Sequence, residues 1–377
     1  MKPKSLAELA EGVAGARAPF ALQGAGSKRG LGRPVVAELL DLSAFNAVIA
    51  YEPEELILEC GAAARLKDVQ GLLNKQGQML AFEPPDFSAL FSSKHAGTLG
   101  GALMCNLAGP RRLKAGAARD HVLGATGVNG TGEIIKAGAR VVKNVTGYDV
   151  PRLLAGSHGT LMALTSVIFK VMPRPETENT LLVPCGNEAS AVALMAKALG
   201  SSCEVSAAAY VPGQGVALRL EGIDVSVAYR RAKLATLLEA ESQVLEAKAS
   251  ASLWQAVRDV TALPCQPSDC IWRISVAPQH APQVIAALRQ QFAFTFIIDW
   301  GGGLIWLAHN ENQDHAAAIR AAASPGHATL FRASEATRAT AQVFQPLPPA
   351  LAALTQRVKQ AFDQKGQFNP GRMYPEL

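Results

Sequence analysis

Three glycine-bearing segments hold the residues best suited to chemistry. The first is Gln23-Gly24-Ala25-Gly26-Ser27-Lys28-Arg29-Gly30, after the short apolar run Phe20–Leu22. Glycines at 24 and 26 let the backbone turn sharply and approach a ligand where a Cβ would intrude. Successive amides in such a turn form a nest for phosphate oxygens, to which Ser27 and Lys28 add a hydroxyl and a positive charge. The spacing G-x-G-x-x-x-G matches neither the dinucleotide fingerprint nor the G-x-x-x-x-G-K-[ST] phosphate loop. Taken alone, it reads equally well as a glycine turn.

The second segment runs from Gly97-Thr98-Leu99-Gly100-Gly101 through Cys105-Asn106 to Gly109-Pro110. Its small, apolar residues suit a backbone lying against a flat ligand, with Thr98 and Asn106 supplying the orienting hydrogen bonds. A small-residue packing face is the competing reading. The third group comprises Arg119–Gly124, Val142–Asp149 and Leu154–Leu161, the last holding Gly156-Ser157-His158-Gly159-Thr160.

Together these segments resemble the FAD-binding domain of the vanillyl-alcohol oxidase/p-cresol methylhydroxylase (PCMH) superfamily. The closer resemblance is to the FAD-binding subunits of bacterial glycolate oxidases. It is carried by Gly24–Lys28, Gly97–Pro110, Arg119–Gly124, Lys143–Asp149, Gly156–Leu161, Asp299-Trp300-Gly301-Gly302 and Phe368–Arg372, which span most of the chain. The resemblance implies non-covalent FAD, with contacts from Gly24, Ala25, Gly26, Ser27 and Lys28 on one side. Gly97, Thr98, Gly101, Asn106 and Gly109 would lie on the other side, Gly159 and Ile168 near the adenine, and Asn369 back at the flavin ring. It further implies a homologous catalytic flavoprotein subunit and an iron–sulfur subunit as partners, acting together on a small hydroxy acid. The complex would be cytoplasmic, or peripheral at the inner face of the membrane.

The chain also departs from those relatives. Some hold flavin covalently, and His95 or Cys105 stands where an attachment would fall, although the closer family binds FAD non-covalently. His158 replaces a usual glutamate. The H-x-G-D-G-N segment of catalytic 2-hydroxy-acid dehydrogenases is absent. His309 and His315, if six residues apart on one helix, would face opposite ways, so no metal site is expected. Oxidising a hydroxy acid needs a base for the hydroxyl proton and a cation for the carboxylate. Arg119, His121 and Tyr148 are available, but read equally as an ion-pair partner of Asp120, a strand residue and a packing aromatic. No catalytic residue is assigned. Besides the reading as a subunit of a larger enzyme, two others stand: a self-contained FAD-dependent 2-hydroxy-acid oxidoreductase, and a non-catalytic structural subunit.

The elements that must position these loops change character near Pro173-Arg174-Pro175. The expected fold class is α+β. Residues 1–175 form a PCMH-type FAD-binding domain, in which a small parallel βαβ unit beginning at the strand Leu56–Cys60 precedes an antiparallel sheet with few helices. Residues 176–377 form an α+β domain whose tail returns to the flavin. Its element order reads β-α-β-β-α-β twice, over 180–246 and 271–332, as in two ferredoxin-like split βαβ units. A last helix carries Leu351, Leu354, Val358 and Phe362 on one stripe.

Composition bounds the rest. A chain of 377 residues, 49% hydrophobic and 18% charged, can bury a full core. Its net charge of +5 is scattered, so no nucleic-acid partner is indicated. The six cysteines lack C-x-x-C spacing and read as reduced thiols, and no apolar run approaches the length of a membrane span.

Overall fold

In this computed structural model, residues 1–141, 147–312 and 314–377 are described. Residues 143–146 of the Lys143–Asp149 motif therefore lie outside the described residues.

The N-terminal helix α1 (Leu6–Ala14) starts where Ser5 accepts a hydrogen bond from the Glu8 amide, and it buries Leu9 and Val13. Strands β1 (Phe20–Gln23) and β2 (Glu38–Asp41) pair in parallel. Next come β3 (Val48–Glu52), β4 (Ile57–Gly61), α2 (Leu66–Asn74) and the short β5 (Gln78–Met79). Helix α2 buries Leu66, Val69 and Leu73, one face of a 3.6-residue period, and Gly77 turns the chain beyond it at φ +61°.

Helices α3 (Leu99–Met104), α4 (Arg112–Ala115) and α5 (Ala118–His121) then lead into β6 (Val122–Val128) and β7 (Ile134–Gly138). Helix α6 (Val150–Leu154) precedes β8 (Ala163–Lys170) and β9 (Met172–Pro173). The expectation of few helices here fails because α3 to α6 span only four to six residues each, too short to show a periodic apolar stripe. One five-stranded antiparallel sheet, β3-β4-β8-β6-β7, forms the backing of this region; the expected parallel βαβ unit is not formed there, because β4 sits between antiparallel neighbours and β5 pairs antiparallel with β9.

The second sheet begins at β10 (Thr177–Val183), followed by α7 (Glu188–Leu199), β11 (Ala207–Val211), β12 (Gly215–Gly222), α8 (Asp224–Leu238) and β13 (Gln243–Glu246). Helix α9 (Ala247–Arg258) leads to the second round. That round is β14 (Cys270–Ser275), α10 (Ala281–Arg289), β15 (Thr295–Asp299), β16 (Leu304–His309), α11 (Ala316–Ala323) and β17 (His327–Arg332). The strand order is β13-β10-β12-β11-β15-β16-β14-β17. Each half is thus ordered 4-1-3-2, the split βαβ arrangement, and the two halves meet edge to edge where Tyr210 pairs with Ile298. Both units cover an edge strand by this join, which removes an exposed β edge.

Alternate residues divide the eight-stranded sheet into two faces. Trp272, Ile274, Ile298 and Ile305 pack under α7, α8, α10 and α11. Ile271, Ile297, Trp306 and Phe331 join one core with Phe82, Leu103 and Phe169 of the first region. The chain ends with α12 (Glu335–Thr340), α13 (Pro349–Phe362) and a tail. On α13 the anticipated apolar stripe is only half used: Leu351 and Leu354 are exposed, while Val358 and Phe362 pack on the core. What holds the helix is Lys359, buried against Asp363 at 2.6 Å and donating to the Thr160 and Phe368 carbonyls.

Candidate functional site

The tail positions the site. The two Asp363 carboxylate oxygens accept from the Gln367 and Phe368 amides, fixing the turn after α13. Phe368 then lies parallel to Phe20, with Phe20 N donating to Gln367 O and Asn369 N to Phe20 O. The Asn369 carboxamide accepts from Leu22 N at 2.9 Å and donates to the His158 and Gly159 carbonyls at 2.9 and 3.1 Å. One side chain thereby binds the strand before the first glycine loop to the third segment. Asn369 at φ +44° and Gly159 at φ +72° meet so closely that a Cβ on Gly159 would stand 2.7 Å from Asn369 Nδ2.

These segments line an open cavity of about 140 Å³. Its lining includes Gly24 to Lys28 from the first loop, Thr98 and Gly101 from the second, and His158, Gly159, Asn369 and Arg372 from the later segments. Thr98 caps α3 by accepting from Gly101 N at 3.1 Å, while the Leu99 and Gly100 amides donate to the Ala64 and Ala62 carbonyls. Gly97, at φ +108°, sits directly behind them: a Cβ there would be 2.5 Å from Lys28 Nζ and 2.8 Å from Ser27 Oγ. Any other residue at 97 would displace the lysine.

Asn106, Gly109 and Ile168 stand apart from this lining. The Asn106 carboxamide oxygen accepts from Arg119 N, Gly109 O accepts from Trp300 Nε1 at 3.1 Å, and Ile168 packs across Gly124 within the sheet. Each is occupied by a structural contact. Arg119, His121 and Tyr148 also lie outside it. Arg119 makes no ion pair with Asp120, whose carboxylate accepts instead from Ala117 N. His121 closes a short helix rather than lying in a strand, and Tyr148 is 95% exposed rather than packed. The expected separation of His309 and His315 also fails. They lie at a strand end and a helix start with rings 5.0 Å apart, and His309 is engaged by Trp272 Nε1 and the Asn310 carbonyl.

The electrostatics of the cavity are one-sided. Lys28 is half-buried, and its only side-chain hydrogen bond among the described residues is a long one to Ser27 Oγ at 3.5 Å; desolvation lowers its pKa. Arg372 donates to Lys28 O at 2.8 Å, and burial lowers its pKa too. Neither forms an ion pair among the described residues. Gln23 Oε1 is buried without a partner among them. His158 is held neutral, pushed down to about 3 by burial and by the Arg372 charge, with Nδ1 3.8 Å from Cys105 Sγ. Burial raises the Cys105 thiol. His95 lies elsewhere, with Nδ1 facing Arg65 at 2.9 Å. Two half-buried cations and a nest of glycine amides fit a ligand with a compact dianionic centre.

Comparison with known proteins now decides the family. An FAD binding domain family matches residues 1–138. The glycolate oxidase subunit GlcE of Escherichia coli is 35% identical over 368 residues, covering 96% of this chain and 94% of that protein. The chain belongs to the GlcE family of FAD-binding oxidoreductase subunits. More local similarity extends to GlcD of Bacillus subtilis, 36% identical over 145 residues, and a D-lactate dehydrogenase of Anaerostipes hadrus, 34% over 149. These cover 38% and 40% of the chain but only 27% and 30% of those proteins, so the shared part is confined to one stretch. Among solved structures, a 4-ethylphenol oxidase from Gulosibacter chungangensis matches with TM-score 0.72 at 13% identity, over 100% of this chain and 89% of that one. An alkyldihydroxyacetonephosphate synthase matches at 0.65 and 17%, over 98% and 76%. Both place this GlcE-family chain in the same fold.

A charge network missed by the sequence analysis bridges the two sheets. The Arg219 guanidinium grips Glu83 with two bonds of 2.9 and 3.0 Å, and Arg111 adds its backbone amide to Glu83 at 2.7 Å. Arg111 also binds Glu221, and Arg219 stacks over Trp254. Burial works against the charge on Glu83, yet Arg219 and Arg111 hold its carboxyl down to about 2. Positions 83, 111, 219 and 221 are remote in sequence, so no spacing rule could have paired them.

Proposed function

We propose that this chain is the FAD-binding subunit of a heteromeric glycolate oxidase, converting glycolate to glyoxylate together with a homologous catalytic flavoprotein subunit and an iron–sulfur subunit. The observation that carries the reading is the pair Lys28 and Arg372, half-buried and without carboxylate partners among the described residues, in a glycine-lined cavity. In this reading they neutralise the cofactor diphosphate, while Gly24, Ala25, Gly26 and Ser27 offer backbone amides and Gly97 keeps the approach open. Thr98 and Gly101 present the start of α3, and Gly159 and Asn369 close the far end. FAD is held non-covalently, since His95 is turned away and Cys105 is a protonated thiol facing a neutral histidine. When bound, FAD supplies a two-electron acceptor, whose electrons leave through the partner subunits. Residues 1–175 would form the cofactor domain and 176–377 the covering domain. No helix among the described residues is long and apolar enough to cross a membrane, which accords with a cytoplasmic subunit reaching the membrane only through its complex.

A visible spectrum of the purified chain, before and after anaerobic addition of glycolate, tests this. Flavin bands that persist for the chain alone and bleach once the partner subunits are added are expected. Absence of flavin after reconstitution with FAD would overturn the cofactor assignment, and bleaching by glycolate alone would make the chain an oxidase in its own right.

A further inference from the structure

A second cleft, of about 580 Å³, opens between α2, α9 and the start of β10, and shares no lining residue with the glycine-lined cavity. It reaches inward to the buried Arg219 and Trp254, where the charges are already matched by Glu83 and Glu221. Glu178 also lines it, half-buried and without an ion pair among the described residues. A relay fixes that carboxylate. Trp254 Nε1 donates to Thr180 Oγ1 at 2.7 Å, Thr180 Oγ1 and Ser250 Oγ lie 2.7 Å apart, and Ser250 Oγ donates to Glu178 Oε1 at 2.8 Å. An indole N–H only donates, and the single Ser250 proton is used on the carboxylate, so Thr180 donates to Ser250 and every donor points toward Glu178. Thr180 and Ser250 are both 0% exposed, which shields the relay from water.

The relay occupies one carboxylate oxygen and leaves Glu178 Oε2 with no hydrogen bond among the described residues. Burial raises the Glu178 carboxyl, so a cation brought to that oxygen favours the charged form. Charge of the opposite sign stands unpaired at the exposed mouth. Lys248 makes no side-chain hydrogen bond or ion pair among the described residues, and Arg174 donates only to Asn74 Oδ1 at 3.1 Å. The Gln70 and Gln255 carboxamides, on facing helices, make no hydrogen bond among those residues either. A fixed acceptor of cations inside, two cations at the rim and free amides on the walls call for a ligand with an ammonium, a carboxylate and a polar side chain.

We propose that this cleft binds a free polar α-amino acid, its ammonium on Glu178, its carboxylate on Arg174 and Lys248, and its side chain against Gln70 and Gln255. Calorimetric titration of the FAD-loaded chain with L-glutamine tests it. N-acetyl-L-glutamine, which lacks the cation, and L-glutaminamide, which lacks the carboxylate, are the controls, with succinate as a competing anion.

One L-glutamine per chain is expected, with each control bound at least roughly tenfold more weakly, the loss of one charge-assisted contact. Glu178→Gln should weaken L-glutamine by about the same factor, and Lys248→Ala by less, because Arg174 still meets the carboxylate. Lys248 and Arg174 are exposed, so Lys248→Ala and Arg174→Ala remain informative if the β10 variant does not fold. Flavin absorbance, read in the same samples, reports the cofactor reading separately, and a chain that takes up no FAD is titrated without it. No uptake of L-glutamine, equal uptake of N-acetyl-L-glutamine, preference for succinate, or unchanged affinity in the folded variants would overturn the proposal.

Discussion

Cations largely withdrawn from solvent occur in two regions of this molecule under opposite conditions. Between the two sheets, Arg219 and Arg111 are matched by Glu83 and Glu221, with bidentate geometry and a stacked tryptophan. In the glycine-lined cavity, Lys28 and Arg372 have no carboxylate partner among the described residues. Burying a charge is costly unless something pairs it. The first region supplies the pairing from the chain itself and so serves the fold. On the proposed reading the second leaves it to the cofactor, part of whose binding energy would be held in reserve as unpaired charge.

That contrast gives ordered expectations. The largest effect should come from Glu83→Gln, which strands two guanidiniums in the interior. Breaking a buried pair costs about 3–5 kcal/mol, so the denaturant midpoint should drop sharply. An unchanged midpoint would end the claim that the network holds the sheets together. Lys28→Met should do the reverse: the FAD-free chain should melt at the same temperature or higher, while FAD affinity falls roughly ten- to hundredfold, the worth of a charge-assisted hydrogen bond. Arg372→Gln should follow it with a smaller loss, measured by flavin fluorescence on titration. Should either variant destabilise the FAD-free chain as Glu83→Gln does, the distinction between the two regions collapses.

A pH profile sharpens the comparison further. Glu83 lies far below its unfolded pKa, so its contribution is full above about pH 4.5 and is lost as pH falls toward 2. Asp299 behaves oppositely. Burial raises it to about 7, so the folded state holds a proton that the unfolded chain releases above about pH 4, and stability falls as pH rises from 4 to 7. Asp299→Asn keeps an acceptor for Trp300 N and should flatten that decline in thermal melts at pH 5 and 8. The smallest effect should be Leu354→Ser on the exposed face of α13, within about 0.5 kcal/mol as for other surface changes. A larger loss would show that this face is covered in solution.

Local sequence carried much of the fold. The repeat of β-α-β-β-α-β followed from element order, because strands and helices longer than a turn write their periodicity into the chain. The glycine loops were equally legible, since a left-handed φ or a contact of 2.5 Å with a lysine leaves little choice but glycine. Where elements were short, as in α3 to α6, or where a helix is held by a buried Lys359 rather than an apolar stripe, periodicity misled. His309 and His315 show the same limit: spacing in sequence states distance only once the element is known.

What the sequence determined by itself was therefore local: the turns that admit a cofactor, the strand and helix order, the family resemblance. The tertiary structure alone decided which edges of the two units join, and that the tail returns so that Asn369 ties β1 to Gly159 while Arg372 reaches Lys28. It also decided which buried charges are paired and which are left open. Pairing is a property of distance in space, and Glu83 and Arg219, or Arg111 and Glu221, acquire a partner only when the sheets close over them.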